Sequence, residues 1–341
     1  MKNITLSRID ALRQVSIPLL PGIGFCLVVV LAANYMAEHY GSPLILMALL
    51  LGMAFNNIYK YEEFSRGLEF CAKSILRMGV ALLGVRITFD QISELGFQPV
   101  LVVVVVVIAT IAFSVVLART LKVDKVMGII SGAAVAICGV SAAMAVAAVL
   151  PTSKASEKYL LCTVICVTGL STIVMVLYPG AVTSLDMSPE QMGIFLGASI
   201  HDVAQVFGAG HMISEQVAEL ATYTKMLRVM MLVPVIMVLV ILFRKTMNPS
   251  NESQDGYKKL VLVPGFLIAF TVLVIVSNLE ILAPTVVSSM EDLSGICLLI
   301  AMAALGTKTN LVELYKVGRK PFLLLLSNTI FIAVLAFCLI L

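Results

Sequence analysis

Apolar stretches of the length that crosses a bilayer, about 17–25 residues, recur down this chain with short polar interruptions. They begin near Pro18, Pro43, Gly67, Pro99, Val126, Tyr159, Gln191, Met226, Leu260, Leu293 and Pro321. Several open at Pro, which suits the first turn of a helix, where the missing N–H costs nothing. The pattern predicts an all-α polytopic membrane protein of about 9–11 transmembrane segments. The longest polar interruption, Arg244 to Lys259, reads as a surface loop. The whole of 1–341 is therefore expected to form one membrane domain, with repeat-like halves at 18–178 and 191–341.

Two of these segments break their apolar pattern in the middle. Val126–Leu150 begins Met-Gly-Ile-Ile-Ser-Gly-Ala at Met127, and Gln191–Ile213 begins Met-Gly-Ile-Phe-Leu-Gly-Ala at Met192. Each then meets a polar centre: Cys138-Gly139-Val140-Ser141 in the first, His201-Asp202-Val203-Ala204-Gln205 in the second. A break at membrane depth frees backbone groups that only protein or a water-filled cavity can satisfy. The half-helix after the break points free N–H groups and a partial positive charge at the gap, which suits an anion. Ser141 and Gln205 add side-chain donors. A carboxylate such as Asp202 in mid-segment costs about 2.5–3.5 kcal/mol even on the lenient insertion scale. With His201 it reads as a proton or cation relay beside a substrate, or else as a structural pair at a helix end.

A second unit is written twice. Ala81-Leu82-Leu83-Gly84-Val85-Arg86 leads through Gly96 to Pro99, and Ala303-Ala304-Leu305-Gly306-Thr307-Lys308 leads through Gly318 to Pro321, with identical spacing. Internal repeats around a midplane site are how many secondary transporters are built. Arg86, Lys308, Thr309 and Asn310 become candidate substrate contacts, while a cation at a segment end also reads as a snorkelling side chain. Arg77, deeper in its segment, is a further candidate.

Composition supports the membrane class. The chain is 60% hydrophobic and 13% charged, with mean hydropathy +1.05, against about 45–50% and about 25% in soluble domains. No Lys/Arg patch marks a nucleic-acid partner. The seven cysteines show no CxxC pair and no zinc spacing, so no metal or cofactor is expected. Met1 to Gln14 is polar, and the apolar run after it reads as the first anchor rather than a cleaved signal.

Lys/Arg-rich loops belong on the cytoplasmic side. Arg8/Arg13, Lys60/Arg66/Lys73, Arg119/Lys122/Lys125, Arg244/Lys245/Lys258/Lys259 and Lys316/Arg319/Lys320 place the N-terminus inside. Glu38-His39, Asp90/Glu94 and Glu280/Glu291/Asp292 suit the outside. The Arg86 and Lys308 copies then run in opposite directions. Lys154/Lys158 and Asp186/Glu190 fall on their proper sides only if both interrupted segments dip in and return. Broken helices that cross fully are the alternative, and the charge bias alone leaves both open.

Four stretches in order, LLGVRITFDQI, AICGVSAAMA, IHDVAQVFGAG and AALGTKTNL, resemble the YeiH-type family of bacterial inner-membrane proteins, sometimes labelled sulfate exporters. The resemblance runs from about Pro18 to the C-terminus. It implies a place in the cation/proton antiporter and bile-acid symporter superfamily, with inverted repeats and crossed, discontinuous helices. Val85-Arg86 departs from the bile-acid symporter pattern and counsels against such a substrate. The expectation is a multi-pass inner-membrane secondary transporter of a small anion such as sulfate, a sulfonate or a carboxylate. Coupling to H⁺ or Na⁺ is expected, a homodimer fits, and no enzymatic activity is. Its substrate contacts would be Cys138, Gly139, Ser141, His201, Asp202, Gln205, Arg86, Lys308, Thr309 and Asn310. A channel or membrane sensor, and an intramembrane serine hydrolase using Ser141 and His201, are the competing readings.

Overall fold

The computed structural model describes residues 17–150, 154–243, 265–279, 281–310, 312, 314 and 317–341. The N-terminal cations, the loop from Arg244 and the expected segment start at Leu260 lie outside the described residues. All regular elements described are helical. They are α1 (Leu20–Tyr40), α2 (Leu44–Ala54), α3 (62–86), α4 (Phe89–Leu95), α5 (Gln98–Thr120), α6 (Lys125–Ala136), α7 (Val140–Val149) and α8 (Lys154–Thr183). The second half holds α9 (Pro189–Ser199), α10 (Val203–His211), α11 (Glu215–Met230), α12 (Leu232–Phe243), α13 (Gly265–Asn278), α14 (Pro284–Lys308) and α15 (Arg319–Ile340). Within α3 a π-helical turn at Cys71–Ile75 and a closing 3₁₀ turn at Leu83–Arg86 interrupt the α-helix.

Six helices are long and apolar enough to cross a membrane: Leu20–Tyr40, Gln98–Thr120, Ala155–Thr183, Glu215–Phe243, Pro284–Lys308 and Arg319–Ile340. The chain is thus an all-α polytopic membrane protein. Helices α2, α3 and α13 pack alongside these six. Small residues permit the contacts: a Cβ on Gly84 would lie 2.5 Å from the Phe270 carbonyl of α13, and Gly52 and Gly306 bring α2 against α14. Backbones approach this closely in membranes because no side chain stands between them.

The repeated units run antiparallel. Ser294 Oγ of α14 donates to the Gly79 carbonyl of α3 at 2.8 Å, and further along α14 Lys308 reaches back to Glu69, 4.0 Å away. Arg86 and Lys308 therefore sit at opposite ends of the bundle, as an inverted pair.

Neither interrupted segment crosses. Along α11, Gly193 of α9 faces Leu220 and Gly210 of α10 faces Ala218, where added Cβ atoms would each come within 2.5 Å. Along α8, Asp202 N donates to Ser171 Oγ, while the Phe195 ring lies tilted against Tyr178 and Gly208 meets Met175. Both arms of α9–α10 thus lie on one side of the tip at Ile200–Asp202. This is a hairpin that enters and returns. The α6–α7 segment does the same from the other end. Lys125 at its start stands 5.9 Å over the Phe243 ring at the far end of α12, and α7 ends just before α8 begins at Lys154. Of the two paths that the charge pattern left open, the chain takes the reentrant one: two opposed hairpins meet tip to tip beside α8.

With hairpins in place most Lys and Arg of the helix ends fall on one side, where Glu62, Glu63, Asp124 and Glu157 also lie. Lys60, Arg66, Lys122, Lys125, Lys158, Arg319 and Lys320 gather at one end, the cationic end. Glu38, Asp90, Asp186, Glu190 and Glu215 gather at the other, the acidic end.

Candidate functional site

The geometry begins with two cations that no polar run announces. Ser214 caps α11 by accepting from Val217 N, and the helix carries Lys225 and Arg228 one turn apart on the same face. Both side chains are completely buried. Lys225 Nζ donates to the carbonyls of Ile137 at 2.7 Å and Ile200 at 2.8 Å. Arg228 donates to Val135 at 2.7 Å, Ala136 at 3.0 Å, and Gly197 and Ile200, each at 2.8 Å. These carbonyls are the last of α6 and the last of α9, which the helices themselves leave without partners. Two negative helix ends therefore converge on two positive side chains, and one helix clamps both hairpins at their tips.

Beyond the clamp the tips turn. Gly139 sits at φ 64°, ψ −124°, backbone that only glycine adopts without strain. The turn starts α7 beside the gap with a glycine at its N-cap, which has no side chain to cap the first N–H groups, and the Cys138 side chain takes the Ala142 N–H. Ser141 Oγ donates to the Cys138 carbonyl at 3.1 Å and lies 2.9 Å from Cys138 Sγ. In the other hairpin, Asp202 caps α10 by accepting from Ala204 N at 2.9 Å. Gln205 Nε2 donates to Thr172 Oγ1 at 3.0 Å, and His201 Nε2 lies 3.0 Å from Thr329 Oγ1 of α15. Gln205 Oε1 is buried with no partner.

A cavity of about 400 Å³ opens between the tips, α3, α8 and the end of α14. Cys138, Gly139, Ser141, His201, Asp202, Gln205, Lys308, Thr309 and Asn310 all line it, joined by Lys73 and Arg77. Its mouth lies toward the cationic end, where Glu69 accepts from Lys73 at 2.5 Å and Lys308 stands 5.5 Å over the Tyr59 ring.

Arg86 is the exception among the expected contacts. It lies at the acidic end, bonded to Glu215 and 4.0 Å from Glu219 at the start of α11. The inverted relation of the two repeats separates it from Lys308 by the depth of the bundle, so the two cations do not share a site. Lys225 and Arg228 are the residues that sequence reasoning missed. Opening the apolar run at Met226 leaves Lys225 outside it and Arg228 at its edge, like flanking cations. The readable signal is the cap at Ser214, which carries one helix from Glu215 through both cations into the run.

Comparison with known proteins gives the family of this membrane protein. A family model described as conserved hypothetical protein 698 matches residues 21–325. The chain belongs to the UPF0324 family of membrane proteins. It is 42% identical over 318 residues to the UPF0324 membrane protein of Chlorobaculum tepidum, covering 92% of this chain and 87% of that one. It is 41% identical over 317 residues to the UPF0324 membrane protein TauZ of Paracoccus denitrificans, covering 92% of each. No solved structure matches, so the tie to a wider superfamily rests on the motifs alone. The UPF0324 match spans both hairpins, the clamp and the cavity.

Proposed function

We propose that this UPF0324 protein is a secondary active transporter of a small anion, working by alternating access at the two hairpin tips. The observation that carries this reading is the cavity itself. It runs from the tips where two opposed hairpins meet to the cationic end, and it joins the N-terminus of α7 to Lys73, Arg77 and Lys308. An anion arriving from the cationic end meets the lysines first and the α7 N-terminus last, a graded attraction. At the acidic end, Arg86 pairs with Glu215 and Glu219, which we read as the closed side. The chain thus has the features of a state open to one side only. The Lys/Arg bias assigns that side to the cytoplasm, in a bacterial inner membrane with the N-terminus inside.

Coupling falls to Asp202. Its carboxylate caps α10, lines the cavity and interacts electrostatically with Lys225 of the clamp. Neutralising it by a proton, or pairing it with Na⁺, weakens the cap and changes the field on the side chain that holds both tips. Hydrolysis has less support. The Ser141 hydroxyl is engaged by Cys138 and His201 by Thr329, with no hydrogen bond between Ser141 and His201 among the described residues.

The test is flux in proteoliposomes. Purified protein should drive saturable, gradient-dependent anion uptake. Asp202→Asn should abolish the gradient-driven component and leave exchange between internal and external anion. Wild-type gradient-driven kinetics in Asp202→Asn would remove Asp202 from the coupling, and linear, non-saturating flux would favour a channel.

A further inference from the structure

The cavity's walls say more about its occupant than its charges do. We infer that the substrate is an organic anion, an oxyanion headgroup on an apolar body, rather than a bare inorganic oxyanion such as sulfate. This rests on the transport reading above and narrows its substrate.

Size is the first argument. A volume of about 400 Å³ lies within the range of sites for small organic molecules, about 300–1,000 Å³. It would hold roughly a dozen waters at about 30 Å³ each. A lone oxyanion would leave most of that space as water against hydrocarbon walls. The cavity is also long. Its lining on α8 runs from Val164 to Ser171, about 10 Å at 1.5 Å per residue.

The second argument is how the lining is divided. Polar groups gather in two places, at the hairpin tips and at the α3–α14 mouth with Lys73, Arg77 and Lys308. Between them the wall is mostly aliphatic and aromatic: Leu76, Val164, Ile165, Phe266 and Leu305 line it with Thr168, each only partly covered by other protein. A site built for an inorganic oxyanion surrounds it with donors, because every uncompensated charged oxygen is costly away from water. Here donors stand at the two ends of the cavity, and the hydroxyl on the wall between them, that of Thr168, already donates to the Val164 carbonyl at 2.8 Å. An apolar body covering that wall is stabilised by burial, at about 0.8 kcal/mol per methylene.

The experiment uses the purified full chain and straight-chain alkyl sulfonates and carboxylates of two to six carbons, with sulfate as the inorganic arm. Binding is read by calorimetry and flux by uptake into proteoliposomes. Affinity should rise by about fourfold per added methylene until the cavity is filled, as follows from the burial figure. Sulfate should bind more weakly than the shortest sulfonate. Val164→Thr keeps the wall's shape but replaces a methyl with a hydroxyl. This variant should flatten the chain-length dependence while leaving the shortest sulfonate nearly unchanged. That pattern also separates cavity binding from partition into detergent, which the substitution would not touch. Lys308→Gln should weaken every member by a similar factor. If sulfate binds and is carried as well as the longer anions, or the chain-length slope is absent, the inference falls and anion transport stands. If no anion binds or moves, the transport reading falls and takes the inference with it.

Discussion

Lys225 and Arg228 show how much can depend on two side chains that composition hides. Each is buried among backbone carbonyls of helix ends, so its removal leaves acceptors without donors where water cannot replace them. Lys225→Met and Arg228→Met should each destabilise the protein by about 2–5 kcal/mol, read as a fall of several degrees in thermal unfolding in detergent. Arg228→Lys should recover only part of the loss, because an ammonium cannot match the guanidinium fork that reaches Val135, Ala136, Gly197 and Ile200. A variant as stable as wild type would mean the clamp contributes little. Gly139 makes a different claim. Gly139→Ala meets no close atom, with the His201 carbonyl 3.7 Å from the new Cβ, yet its positive φ would cost about 1–3 kcal/mol in strain. Replacement by D-alanine, which prefers that backbone region, should restore the stability that L-alanine loses.

At the scale of elements, the sequence located the two interrupted segments and their polar centres, because a cluster of Gly, Ser, His and Asp inside an apolar run is conspicuous against hydrocarbon. It left their path open. Whether a broken helix crosses or returns depends on packing against α8 and α11, and the apolar period is the same in both cases. The charge bias through Lys154/Lys158 and Asp186/Glu190 suited hairpins but rested on too few residues to decide. The duplicated cation was legible as an inverted pair, yet a shared motif did not mean a shared site. Lys308 faces the cavity because α14 ends there, whereas Arg86 ends α3 at the opposite end and meets Glu215 instead. Arg86→Gln should therefore leave anion affinity from the cationic side nearly unchanged and raise labelling of Cys138 from the acidic side. A large loss of affinity with no change in Cys138 labelling would return Arg86 to the binding site.

For the whole molecule, the account comes down to one arrangement: two hairpins enter from opposite faces, meet beside α8, and are held by α11. Membership in the UPF0324 family establishes a multi-pass membrane protein, and the opposed hairpins give it a central cavity that a simple bundle lacks. The seven cysteines are all free, and only Cys338 is exposed, so the topology can be read chemically. Single cysteines placed at Lys122, Lys158, Asp186 and Glu215 in a cysteine-free background, labelled by an impermeant maleimide from each face of the membrane, test it directly. The account predicts that positions 122 and 158 react from one face, and 186 and 215 from the other. Labelling of 122 and 158 from opposite faces, or of 186 and 215 from opposite faces, would mean that the segment between them crosses, and would contradict the hairpins on which the site is built.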